Sequence, residues 1–398
     1  MSTRLLASTT CCLAILATLP ASENGAWPGW RGPAGNGVAS GDPTLIDSLP
    51  EQPPLVWQAD TIDGKPESHS SPAIANGRVY LHTSAEREEM IDGKKKERTY
   101  TAIICYALAD GKELWRHDID KNCHATPCTA GDQVVVRLGT GMLTCYNGAD
   151  GSTVWESKVS KGGTNSSPLI VDGMILTESR KGFIGVKLAD GQQQWEVKEA
   201  DIWNNSPVAW HHQDTAYAIV GNQTMACIEV QSGTVAWTLQ GTDRSKDPSS
   251  PAIHGDLMAT MFEGGGVRVH RLSPSGAELL ATYKEFQSQG GGAHQAGSPV
   301  FDGQRVFGVD GEKTFCWDFQ ADQTLWTADK GDTHSSPILI GGKLIVPHKR
   351  TTVMLDAATG ESLGTAEINP AYCSSPAYAD GKLVLNCGAT IGCWNIGQ

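Results

Sequence analysis

A chain of 398 residues with a formal charge of −13 lacks the basic surplus that a binder of phosphate backbones needs, which excludes nucleic acid as a partner. Its length alone would suit two or three domains. Its 45 glycines and 20 prolines fit a turn-dense all-β protein rather than a disordered one, because apolar runs recur between them at a fixed period.

Residues 1–21 (MSTRLLASTTCCLAILATLPA) hold one Arg, an apolar stretch and then small residues, and read as a cleaved secretory signal. The protein is therefore expected in the periplasm or outside the cell, with no transmembrane span elsewhere. Lipid anchoring at Cys11 is not expected, since Ser8, Thr9 and Thr10 precede it. Residues 22–53 form a Gly/Pro-rich lead-in, ordered at least in part, which includes WPGWRGPAGNGVA.

From residue 54 to 398 the chain repeats itself. Aligned on proline, the copies fall at Pro72, Pro127, Pro168, Pro207, Pro251, Pro299, Pro337 and Pro376. A small hydroxyl precedes every one: Ser71, Thr126, Ser167, Ser206, Ser250, Ser298, Ser336 and Ser375. A turn and an apolar run usually follow, then a second run, then a second turn ending in Trp, as in DGKELW, DGSTVW and DGQQQW. Four short runs per copy, punctuated by Asp-Gly and Asn-Gly, describe a four-stranded antiparallel sheet. A unit of about forty residues built this way is a propeller blade, and one such sheet cannot bury both faces alone.

The eighth copy stops where its fourth strand belongs, while PLVWQAD (54–60) supplies an unused strand carrying Trp57. The expected fold is thus all-β, an eight-bladed β-propeller of four-stranded antiparallel blades whose last blade is closed by an N-terminal strand. The run EREEMIDGKKKER (86–98) lengthens the first copy and reads as a solvated loop between its second and third strands.

Cys105, Cys145, Cys227, Cys316 and Cys393 occupy the same third-strand position of different blades, too far apart to bridge, so they read as small buried residues. Cys123 and Cys128 flank one crossover and are able to pair; Cys373 and Cys387 share blade eight.

Crossovers into the first strands and the loops between second and third strands share one face. Three residues before each proline stand His69, His124, Asn165, Asn204, Pro248, Ala296, His334 and Cys373, with His294 nearby. The polar members, His69, His124, Asn165, Asn204, His294 and His334, are the candidate ligand-binding residues at the channel mouth. They serve equally well to satisfy loop backbone groups at strand starts. Trp203 and Trp210 either offer a stacking surface there or fill gaps between blades three and four. Hydrolase, zinc-protease and Walker-type motifs are absent.

Blade ends such as ALADGKELW and KLADGQQQW, with the leader WPGWRGPAGNGVA, resemble the PQQ-like, quinoprotein-type propeller repeat proteins, and within them the BamB-like envelope propellers. The resemblance implies one of two functions. As an exported scaffold, the chain would bind an envelope protein or peptide partner without catalysis, as a monomer and without cofactor. As a PQQ-dependent alcohol or sugar dehydrogenase, it would hold PQQ and calcium at the channel mouth. No adjacent cysteine pair lies outside the signal, and fewer than 350 residues for eight blades leave little for pocket-building loops. The scaffold reading is therefore preferred, with carbohydrate or small-ligand binding at the channel mouth as a further alternative.

Overall fold

The computed structural model describes residues 26–398 apart from 68–69, 120–123, 163–164, 180, 200–204, 222, 242–248, 263–265, 287–296 and 333. Eight antiparallel sheets follow one another along the chain. Blade two is representative, with strands Cys128–Ala130, Gln133–Arg137, Met142–Asn147 and Thr153–Lys158 running from the channel to the rim. Blade eight takes its fourth strand, Leu55–Asp60, from the N-terminal side and pairs it with Thr390–Asn395, so the ring closes as expected.

The core lies between sheets rather than at one centre, and clusters of buried side chains join neighbouring blades. The recurrent Trp organises these joints. Trp115 of blade one donates its indole N–H to Gly148 O of blade two (3.0 Å) and lays its ring over Gly151 in the Asp-Gly turn. Trp57, Trp155, Trp195 and Trp326 repeat both contacts on the next blade. Each sheet has a bulge at the same register, between its third and fourth strands. The extra residue turns the Trp towards its neighbour and blunts the outer edge.

Three expectations need amendment. Residues 86–98 are not a loop: Arg78–Ile91 and Lys94–Ala107 pair along their full length as a ribbon turning at Asp92-Gly93, both at positive φ. It carries charges of both signs (Glu88 to Lys95, 2.8 Å), which hid the strand pattern from a reading by hydrophobicity. Trp210 fills the joint between blades four and five, not three and four, donating to Asp256 Oδ1 (3.0 Å); Trp203 lies outside the described residues. The eight described cysteines, Cys373 and Cys387 among them, are free thiols, and the other partner of the Cys123–Cys128 pairing, Cys123, lies outside the described residues. The third-strand cysteines are fully buried, and burial pushes Cys105, Cys227 and Cys316 up to about 12, consistent with packing rather than reactivity.

The lead-in is ordered, and it enters the channel. Trp27 exchanges two backbone hydrogen bonds with Ile74 of blade one (2.8 Å each), and Thr129 N–H of blade two donates to Pro28 O. Gly35 packs on Val208 of blade four, and Asn36 donates to Ile253 O of blade five. Gly37 and Ala39 bond to Leu339 of blade seven. Within thirteen residues the chain touches the first strands of blades around the whole circle, which is possible only on the inner wall of the channel. It then leaves beneath blade seven and continues along the joint to blade eight, where Leu49 N–H donates to Leu363 O (2.8 Å). Blade seven has Gly364 where most blades have Trp, and the Leu49 backbone occupies that space.

Candidate functional site

The hydroxyl before each proline builds the throat of the channel. Ser71 N–H donates to Thr126 Oγ1 (3.1 Å), Thr126 N–H to Ser167 Oγ (3.0 Å), and so on through Ser206, Ser250, Ser298, Ser336 and Ser375, whose N–H returns to Ser71 Oγ (2.9 Å). Eight bonds close a circle with one residue per blade. A β-strand's first N–H has no ladder partner inside its own sheet, and here the next blade's hydroxyl supplies it. All eight residues are buried.

Above this ring lie those predicted site residues that the structure describes. His124 is half-buried at the entry to blade two, and its pKa is lowered by burial, against the opposing pull of Glu67. Asn165 is exposed at the entry to blade three. His334 is held at the entry to blade seven: Asp332 Oδ1 accepts from its backbone N–H (2.9 Å) and lies 3.0 Å from its Nδ1. The His334 ring lies 4.4 Å from that of Tyr372, which is half-exposed, and Cys373 follows at a positive φ of 61°. Burial raises the Asp332 pKa, and the hydrogen bonds from His334 outweigh it, so the carboxylate is held below its usual range. His69, Asn204 and His294 lie outside the described residues. The structure thus brings His334 together with Asp332, Tyr372 and Cys373.

Sequence reasoning missed a second polar tier at the ends of the second strands, where Asn386, His82, Arg137 and Glu178 are buried on consecutive blades eight, one, two and three. Asn386 donates to Ser70 O (3.0 Å), His82 Nδ1 lies 3.4 Å from Ala125 O, and Arg137 reaches Ser160 Oγ (2.8 Å) and Glu178 O (3.1 Å). Asn386, His82 and Arg137 each fasten a crossover. The signal was available, for all four stand ten residues after their prolines.

A calcium-bound quinone would require carboxylate, amide or similar donors converging on one point. Among the described residues no group of three His, Cys, Asp or Glu side chains is placed to hold a metal ion, so those residues do not fit that group. Lower in the channel, between the lead-in and blades two to five, lies a cavity of about 390 Å³ walled by Trp30, Pro33, Leu169, Val208 and Trp210.

A family model described as outer membrane protein assembly factor BamB matches residues 100–221 and 202–366. None of the curated proteins matches the chain. Among solved structures, BamB from Moraxella catarrhalis superposes with a TM-score of 0.65 at 12% identity, over 86% of this chain and 97% of that one. A europium-containing methanol dehydrogenase gives 0.68 at 12% identity, over 94% and 91%. The quinohemoprotein alcohol dehydrogenase from Comamonas testosteroni gives 0.68 at 12%, over 93% and 80%. At such identities the likeness concerns the fold alone, which enzymes and non-enzymes share.

Proposed function

The chain belongs to the PQQ-like propeller family whose model is described as outer membrane protein assembly factor BamB, and from that premise we propose that it is an exported, non-catalytic scaffold that docks a protein partner in the cell envelope. The observation that carries the reading is the ribbon of blade one. It runs nine residues beyond His82, roughly 30 Å at strand rise, on the face where the crossovers converge. A two-stranded ribbon standing in water without an apolar face is marginal by itself. Here it is braced at its base by Arg87, which donates to Asp63 O (2.6 Å) and stacks on Tyr100 (4.5 Å). Its tip presents Met90, 68% exposed, among Glu88, Asp92, Lys94 and Lys95. An apolar anchor ringed by both charge signs suits a protein surface. The bulged rim edges suit strand addition poorly.

The reading includes no resident cofactor, and the quinoprotein enzyme is its competitor. A photo-crosslinker at Met90 in the native envelope is expected to capture a component of outer membrane protein assembly, and a ribbon shortened at Glu88–Lys95 to lose that partner at unchanged melting temperature. Stoichiometric retention of added PQQ and calcium after desalting, with dye-linked oxidation of an alcohol or sugar, would replace this reading with the enzyme.

A further inference from the structure

Among the described residues, the channel holds a cation without a counter-ion. Arg31, in the lead-in, is 2% exposed. Its Nη2 donates to Pro299 O, while Nε and Nη1 are buried without a hydrogen-bond partner among the described residues. Burial alone lowers its pKa to about 9, with no carboxylate contributing. A buried guanidinium left in this state is among the costlier features a fold can contain. The chain accepts a second cost to place it, because Arg31 itself sits at a φ of 62°, where glycine is the easy choice.

The guanidinium is aimed at the throat. The lead-in backbone runs at the level of Ile74, Thr129, Ile253 and Leu339, each two residues past its proline. From there Arg31 reaches the level of the prolines themselves: it bonds Pro299 O, and a Cβ added to Gly37 would lie 2.9 Å from Nη2 and 3.3 Å from Pro337 O. One residue further along are Ser298 and Ser336 of the hydroxyl circle. Every hydroxyl oxygen in that circle accepts from a backbone N–H, and none donates its own proton to an acceptor among the described residues. A fork of N–H groups below, with Nε and Nη1 unpartnered, and a circle of O–H groups around give the throat a surplus of donors over the Pro299 and Pro337 carbonyls beside them.

We propose that the throat of the propeller binds a small oxyanion, a phosphate-type or carboxylate group, between the Arg31 guanidinium and the circle of pre-proline hydroxyls. Guanidinium matches such groups in two-pronged geometry. The anion neutralises the buried charge and ties the lead-in to the blades, so it stabilises the closed ring.

The test uses the mature protein, dialysed into Tris chloride and compared at equal ionic strength with inorganic phosphate, sulfate or acetate. At least one of these is expected to raise the melting temperature by about 2 °C or more over chloride. One equivalent of bound anion is expected by calorimetry, and the preferred probe separates a phosphate-type from a carboxylate ligand. Arg31→Met is expected to lose both responses. Should that variant fail to fold, ion chromatography of anions released on denaturing the freshly purified wild type decides the matter, with about one oxyanion per chain expected. No released oxyanion together with no response above chloride, or an unchanged response in Arg31→Met, would overturn the proposal.

Discussion

A hydroxyl before every proline was legible in the sequence; its purpose was not. The partners in the circle are 38 to 55 residues apart, and 304 apart at the closing bond, so no local window contains a donor and its acceptor. Ser336→Ala strands the buried Ser298 N–H, and is expected to lower unfolding free energy by about 1–3 kcal/mol. Ser336→Thr keeps the oxygen, as Thr126 does in blade two, and will stay close to wild type in urea denaturation. Equal midpoints for the two variants would show that the circle contributes nothing. His82 supplies a pH-dependent counterpart. Burial lowers its pKa to about 4, so the folded protein holds it neutral while the unfolded chain titrates near 6.5. Below about 6.5 the unfolded state takes up a proton that the folded state refuses. Stability contributed by neutral His82 is therefore intact at pH 7, declines as pH falls from about 6.5 to about 4, and declines no further below that. Melting curves of His82→Gln against wild type across this window are expected to show a shallower acid limb in the variant.

At the scale of the element, the turn-plus-Trp repeat could be read because its parts recur with the period of the blade. The bulge that aims each Trp was not legible, because its extra residue is an ordinary apolar one in most blades, as at Val56, Leu114, Val154 and Ala236, and reads as one more strand residue, with Gln194 the exception. Substitution at two turn glycines separates backbone strain from docking. Gly131 and Gly151 both have positive φ, 55° and 74°, but an added Cβ meets nothing within 4 Å at Gly131 and the Trp115 ring at 2.8 Å at Gly151. Gly131→Ala is expected to cost about 1–2 kcal/mol, the left-handed strain alone. Gly151→Ala is expected to cost more by a further 1–3 kcal/mol or so, as the ring is driven off its seat. In Trp115→Ala the difference between the two glycine substitutions should shrink to what His117 Nε2, 3.2 Å from the added Cβ at Gly151, still imposes, and a double-mutant cycle on unfolding free energies measures this directly. A ring that was merely resting on the turn would leave the single variants alike.

At the scale of the molecule, ring closure by residues 54–60 was inferred from a missing strand and an unused one, a matter of counting. The seat of residues 26–39 lay beyond that method, because Gly-rich WPGWRGPAGNG has neither helical nor strand periodicity and fits a channel that exists only after the blades have closed. This makes the lead-in an element whose contribution can be isolated. A chain lacking 26–41 retains Leu45, Leu49 and the closing strand, and is expected to fold as an all-β protein with a melting temperature lowered by several degrees. Its loss should be local: the amides of Ile74, Thr129 and Leu339, which donate to Trp27 O, Pro28 O and Gly37 O, will exchange much faster than those of the third strands. A chain lacking 26–60 also loses the closing strand and uncovers the edge of Thr390–Asn395, with Trp394 on it, and is expected to aggregate. If the shorter deletion left both melting and exchange unchanged, the lead-in would be a passenger, and closure of the propeller would rest on its fourth strand and hydroxyl circle alone.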